Sequence, residues 1–364
     1  MITKKLLTIE ATPGVTVAED VFSSNDQLVV AKDTVLTSRI IARLKFYSIH
    51  DITVFAEEPT VSLETMQIPQ KEQQSYFEKV RETIAFKQFN RVYLESVKNV
   101  KESLNSIVTK NEPIEEDKML SYIEKILDKS RNGLHILEML HCMRDYDDYT
   151  FVHSVNVSLI CHIMGEWLHL SKRDIRVLTL AGLFHDIGKL VVPQDVIGKP
   201  ARLTPTEFSL VKTHTIHGFN ILNNEKIDTR IKLAALQHHE RCDGSGYPGG
   251  CLTNEIEPFS KIVAIADVYD AMTSDRVYRP KICPFNVIHL FEEEGMRKYD
   301  PRYLMPFLER TVESYVHNSV KLSNDEYGEV VFINKFSLSK PLVKLDNRFI
   351  DLSKEHHITI EGVL

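Results

Sequence analysis

The chain has 364 residues, is 43% hydrophobic and carries a formal net charge of −7. That length suits two or three domains with a sizeable buried core, and the acidic balance argues against bulk DNA or RNA as a partner. Five cysteines, at 142, 161, 242, 251 and 283, are scattered with no CxxC pair, which argues against a disulfide framework and for a reducing cytoplasm.

Residues 1–60 read as a small α+β domain. Pro13-Gly14 and Asn25-Asp26 are turn signals around Val15-Thr16-Val17-Ala18 and Leu28-Val29-Val30. Thr37-Ser38 is placed to cap a helix through Ile40, Ile41, Leu44 and Phe46, and Ile52-Thr53-Val54-Phe55 reads as a strand. The N-terminal apolar stretch is too short for a signal peptide and Glu10 interrupts it. No apolar run approaches the roughly 18 residues of a spanning helix, so no membrane insertion is expected.

Residues 61–130 read as a helical linker. Over 72–108 the residues Tyr93, Val97, Val100, Leu104 and Ile107 alternate steps of four and three, the spacing of a heptad seam. Two readings of this stripe stand level: a helix packed on its own domain, and a homodimer seam. Asn111-Glu112-Pro113 ends the helix. Residues 131–319 form an almost wholly helical region, with loops at Val192-Pro193, Gly198-Lys199-Pro200 and Asp243 to Pro258. From 320 to 364 the pattern turns strand-like, at Gly328 to Asn334, Pro341 to Leu345 and His357 to Ile360. The fold class is therefore mainly α: a helical bundle with a small α+β N-terminal domain and a short β-rich C-terminal segment.

Seven side chains in the helical region are candidate metal ligands: His153, His185, Asp186, His214, His238, His239 and Asp267. A lone histidine on an apolar helix is ordinarily packed or hydrogen-bonded. Here, however, His185-Asp186 closes the apolar run Val177 to Phe184, His238-His239 follows Ile231 to Leu236, and Asp267 lies inside Ile262 to Met272. Buried carboxylates in such runs need partners, and three apolar helices that each carry His or Asp inward describe a core built around metal. Imidazole and carboxylate without thiolate suit Fe or Mn better than a closed zinc site. Seven ligands exceed one tetrahedral ion and fit two divalent ions sharing a carboxylate, the usual device for attack on a phosphoester.

In this order the residues resemble a known family. His185-Asp186-Ile187-Gly188-Lys189 is similar to the signature of the HD phosphohydrolase superfamily, and His238 to Pro248, with its Gly246-Tyr247-Pro248, resembles the signature of the HD-GYP branch. Tyr149 to Ser154, Asp267 to Ala271, and Gly295 with Tyr299-Asp300-Pro301 are similar too, so the resemblance spans roughly 140–315. It implies a metal-dependent phosphodiesterase that hydrolyses the bacterial second messenger cyclic di-GMP to linear pGpG and onward to GMP. It implies that Asp186 bridges two metals, that His153, His185 and Asp267 complete one and His214, His238 and His239 the other, and that a hydroxide between them attacks. Lys189 follows His185 by one turn and would stabilise the transition state or protonate the leaving oxygen. The glycine-rich loop with Gly246, Tyr247 and Pro248 would border the substrate, and Arg276 and Arg279 would contact its phosphates.

Two departures matter. Where relatives carry Lys after the Tyr-Arg pair, Pro280 stands here and Lys281 follows. Where three-metal relatives place a Glu four residues before the first His ligand, this chain has Tyr149, and Asp147 and Asp148 are out of helical phase with it, so two ions are expected. The rival readings are a sensor that binds a cyclic dinucleotide without cleaving it, a hydrolase of another cyclic dinucleotide, and a mononucleotide phosphatase. A signalling partner protein for the N-terminal domain fits any of them.

Overall fold

A computed structural model describes residues 3–8, 11–22, 28–47, 49–55, 76–143, 149–199, 201, 203–274, 282–355 and 357–364. The N-terminal segment contains β1 (Thr3–Leu7), β2 (Val21–Phe22), β3 (Leu28–Val30), α1 (Ser38–Phe46) and β4 (Asp51–Phe55). β1 pairs antiparallel with β4, Leu6 opposite Ile52, and β2 pairs with β3. Thr37 caps α1 as its sequence suggests, its hydroxyl accepting from the Ile40 N–H at 3.2 Å. Residues 15–18 do not form a strand. They make only single bridges, Thr16 to Val35 and Val17 to Val54. Val17, Leu36, Leu44 and Val54 form a small separate core.

The expected 72–108 helix is two helices, α2 (Tyr76–Glu82) and α3 (Ile84–Lys110). Thr83 breaks it by acting as the N-cap of α3, accepting from the Phe86 N–H at 3.1 Å. Asn111, in the left-handed conformation at φ 53°, closes α3. The stripe of Tyr93, Val97, Val100, Leu104 and Ile107 is buried within this chain, against α4 (Glu116–Leu127) and α6 (Tyr149–Trp167). A homodimer through this helix would have to use another face, because the seam it was read from is already covered.

The rest of the bundle comprises α5 (Gly133–Cys142), α7 (Lys172–Phe184), a 3₁₀ turn (Ile187–Val191), α8 (Gln194–Ile197), α9 (Pro205–Lys212), α10 (His214–Asn223), α11 (Thr229–Gln237), α12 (Pro258–Thr273) and α13 (Pro284–Leu290). A π-helical turn (Phe291–Gly295), α14 (Met296–Lys298) and α15 (Pro301–Glu313) complete it. α6 packs along α7, and α12 lies across both. α12 is apolar on nearly all sides and correspondingly buried. α1 docks on the π-helical turn through Arg39–Glu293, Arg43–Glu294 and Tyr47–Glu294 contacts.

The C-terminal segment is a five-stranded antiparallel sheet: β5 (Ser319–Leu322), β6 (Tyr327–Phe332), β7 (Leu342–Lys344), β8 (Phe349–Asp351) and β9 (Ile360–Val363), ordered β8-β7-β6-β5-β9. Val320, Val330, Val343 and Ile350 turn inward, and the Glu292 carboxylate of the π-helical turn accepts from the Ser339 N–H at 3.2 Å. Among the described residues no helix is long and apolar enough to cross a membrane, and the five cysteines are free.

Candidate metal centre

All seven candidate ligands converge at one place. His153 projects from the first turns of α6. His185 is the C-cap of α7 and Asp186 follows it. His214 opens α10, His238 is the C-cap of α11 with His239 next, and Asp267 sits within α12. Five of the seven thus lie at helix ends, and two of those ends are C-termini, whose dipoles favour a cation. His153, His185, Asp186, His214 and His238 are all at most 2% exposed.

Asp186 faces two ways. Its Oδ2 lies 3.2 Å from His185 Nε2 and 3.6 Å from His153 Nε2. Its Oδ1 lies 3.3 Å from His214 Nε2 and 3.6 Å from His238 Nε2. Two groups of metal-ligand type result, His153–His185–Asp186 and Asp186–His214–His238–His239, with Asp186 common to both. Asp267 closes the space between them, 3.1 Å from His153 and 3.7 Å from His239.

The tautomers show what the centre is built to hold. His185 Nδ1 is 2.7 Å from the Gly182 carbonyl, His214 Nδ1 2.6 Å from that of Val211, and His238 Nδ1 3.0 Å from that of Ala234. A carbonyl only accepts, so each Nδ1 carries the proton and each Nε2 presents a lone pair inward. His214 and His238 Nε2 then oppose each other at 3.3 Å. Buried Asp186 Oδ1 and His185 Nε2 have no hydrogen-bond partner of their own. Lone pairs converging on a sealed space are costly unless a cation lies among them. The residues fit a metal centre.

Electrostatics agree at His214 and His239, while, against burial, the Asp267 and Asp270 carboxylates raise His153 to about 9. Burial pushes His214 down to about 3 and holds His239 well below the usual imidazole range, so both stay neutral and able to ligate. Burial works against ionisation of Asp186, but neighbouring positive charge, the Lys189 ammonium among it, outweighs burial and holds the carboxyl well below its usual range. Lys189, on the 3₁₀ turn rather than an α-helix, reaches Asp186 Oδ2 directly.

The loop beyond His239 packs on the centre. The Tyr247 ring stacks on His239, with centroids 4.6 Å apart, and the Glu240 carboxylate accepts from the Gly249 and Cys251 N–H groups at 2.6 and 2.9 Å. A Cβ on Gly246 would lie 2.5 Å from the His239 carbonyl oxygen and 2.4 Å from the Glu240 Cα. This glycine therefore serves approach of the loop to the chain's own backbone. Pro248 is exposed. Arg276, Arg279, Pro280 and Lys281 lie outside the described residues, as do Asp147, Asp148 and the Tyr149 side chain.

Three contributors went unassigned in the sequence. Asp270 Oδ2 lies 2.6 Å from His153 Nδ1; its spacing of three from Asp267 on one helix was the available signal. Asn156 donates to Asp270 Oδ1 at 2.8 Å. Lys212 sits with its ammonium 5.7 Å from the Tyr247 ring centre and 5.0 Å from that of Phe208.

A family model described as "HD domain" matches residues 137–303. Over that segment, a little under half of the chain, the protein is similar to the HD-domain family. It is 34% identical over 204 residues to the cyclic di-GMP phosphodiesterase PA4108 of Pseudomonas aeruginosa, covering 56% of this chain and 49% of that protein. It is 34% identical to the cyclic di-GMP phosphodiesterase response regulator RpfG of Xanthomonas campestris pv. campestris, over 51% and 50% of the two chains. To the 3'3'-cGAMP-specific phosphodiesterase 1 of Vibrio cholerae it is 36% identical, over 50% and 42%. The chain spans about half the length, or less, of these relatives. Among solved structures, an HD-GYP-type protein of Bdellovibrio bacteriovorus, Bd1817, shares the fold, with TM-score 0.51 over 84% of this chain and 98% of that one, at 14% identity.

Proposed function

We propose that this chain is a metal-dependent cyclic-dinucleotide phosphodiesterase that opens cyclic di-GMP to linear pGpG. The observation that carries this reading is Asp186, whose two oxygens face two separate groups of inward-pointing imidazoles. The reading assigns two divalent ions, Fe or Mn, to those groups: His153, His185 and Asp267 on one side, His214, His238 and His239 on the other. Such ions, when bound, supply concentrated positive charge and make water nucleophilic at neutral pH.

The chain's own groups do the rest. The Lys189 ammonium, held at Asp186, is placed to donate a proton to the 3' oxygen that leaves phosphorus as the new P–O bond forms. Tyr247, backing His239 at the rim, offers a ring edge to a base, and Gly246 and Pro248 shape that rim. Arg276 and Arg279 are assigned to phosphate contact on sequence grounds. The 36% identity to a 3'3'-cGAMP-specific enzyme favours one rival substrate, the hybrid cyclic dinucleotide. The test is to load purified protein with Fe(II) or Mn(II), incubate it with each cyclic dinucleotide and chromatograph the products. Turnover of cyclic di-GMP to pGpG is expected. Tight binding without product would make the chain a sensor, and neither binding nor product, with metal present, would end the proposal.

A further inference from the structure

One buried hydrogen-bond chain leaves the metal centre and ends outside the HD-domain match. His153 Nδ1 lies 2.6 Å from Asp270 Oδ2. Asn156 Nδ2 donates to Asp270 Oδ1 at 2.8 Å, and the Ser274 hydroxyl donates to the same oxygen at 2.8 Å. Tyr93 Oη lies 2.6 Å from Asn156 Oδ1. Tyr93 belongs to α3, more than forty residues before the matched segment begins at 137. Tyr93 is fully buried, Asn156 is 3% exposed and Asp270 2%.

The direction of every bond follows from one end. A carboxylate only accepts, so Asn156 must turn its NH₂ to Asp270 and His153 must carry its proton on Nδ1. The Asn156 oxygen then faces Tyr93, whose hydroxyl must donate. With Nδ1 committed to Asp270, His153 Nε2 is the ring nitrogen that faces Asp186 and Asp267, at 3.6 and 3.1 Å, and the one available to a cation there. Tyr93 therefore holds the Asn156 amide in the one orientation that supports Asp270, and Asp270 holds His153 in the one tautomer that ligates. Removing the Tyr93 hydroxyl leaves the buried Asn156 oxygen without its close donor and frees the amide to turn its oxygen on the carboxylate.

We propose that Tyr93 is a positioning residue of the metal centre: through Asn156 and Asp270 it sets the affinity of the metal position that uses His153. The inference rests on the centre being metallic, not on which dinucleotide is cleaved. Outer partners of ligating histidines are typically worth 10–100-fold in metal affinity, and a donor two hydrogen bonds behind Asp270 belongs near the lower figure.

The experiment is a Mn(II) titration of full-length, metal-stripped protein, by calorimetry, for wild type, Tyr93→Phe, Asn156→Ala and the double variant. In Tyr93→Phe one affinity class should weaken about tenfold and the other stay put, with circular dichroism showing the helical content intact. The double variant should lose little more than Asn156→Ala alone, because the amide is the close partner of the Tyr93 hydroxyl at 2.6 Å and its other contact, with the Val152 carbonyl, is 3.4 Å long. Wild-type affinities in Tyr93→Phe would overturn the proposal and leave the metal centre standing. Equal loss at both positions with a lowered melting temperature would make the tyrosine merely structural and overturn it too. Wild type that bound no Mn(II) would end the metal reading itself, and this inference with it.

Discussion

Gly188, between the HD pair and Lys189, gives the most quantitative test of how the bundle aims its ligands. A Cβ added there would sit 1.9 Å from the His214 carbonyl oxygen and 2.5 Å from the Gly218 backbone nitrogen. Ordinary contact begins near 3.4 Å, so full relief of Gly188→Ala needs the backbone to move by about 1.5 Å. Neither neighbour is a flexible side chain that can step aside. The 3₁₀ turn and α10 must separate, and those segments carry Asp186 and His214, now 3.3 Å apart. Overpacking of this kind costs roughly 1–3 kcal/mol or more, and a misplacement of about 1 Å can cost 10²-fold in rate. The expected result is a melting temperature lowered by several degrees, loss of the second metal by elemental analysis, and turnover down about a hundredfold. Gly362→Ala is the control, since nothing lies within 4 Å of its added Cβ. Full metal content and near-normal turnover in Gly188→Ala would refute the claim that this glycine fixes the spacing of the two groups.

Asp186→Asn should abolish turnover and strip one metal by more than the roughly 10–100-fold worth of an outer partner, with the helical circular dichroism signal retained. Two metals and normal turnover in that variant would remove Asp186 as the shared ligand. Lys189→Ala should lower turnover about 10²–10⁴-fold while metal content stays near normal, because an ammonium donates but does not ligate; an emptied site would make the lysine structural. Reconstituted protein should hold two ions per chain, and chelation should remove about 2.7 kcal/mol of stability for each ion whose free concentration had stood at 100 times its dissociation constant. Three ions per chain would refute the two-metal reading, whereas Tyr149→Glu should permit a third ion in protein that otherwise holds two.

Much of the candidate site was legible because four of its seven members are tied to a local rule. His185 and Asp186 close an apolar run, His238 closes another, and Asp267 interrupts a third, so each is buried by the helix that carries it. That these groups meet required only that these helices pack together. Less legible were features whose cause is a neighbour distant in sequence. Gly246 reads as a loop glycine, but its space is taken by the backbone of His239 and Glu240. The stretch 15–18 alternates like a strand, yet its partners offer single bridges only. Thr83 reads as one more residue of a long helix, while its hydroxyl satisfies the Phe86 N–H and starts a new one.

The heptad stripe of α3 shows why pattern specifies a face and leaves the partner open. Steps of four and three require only that one side of the helix be dry. A second copy of α3 would serve, and so do α4 and α6, which cover the stripe here. Tyr93 distinguishes the two. A buried phenol hydroxyl needs a hydrogen-bond partner. The residues interleaved near it on α3 point to other faces, so a dry seam of Val, Leu and Ile from a second copy would leave the hydroxyl unsatisfied. α6 offers Asn156 at 2.6 Å. The one polar atom in the stripe therefore selects the intrachain partner, and that partner is two hydrogen bonds removed from His153, a candidate metal ligand. A substitution series at Tyr93 reads both consequences: Phe should spare α3 packing and weaken the metal position, while Ala should open a cavity between α3 and α6 and cost about 3–5 kcal/mol besides. Retained stability in Tyr93→Ala would mean that α3 is not held on α6 by this side chain.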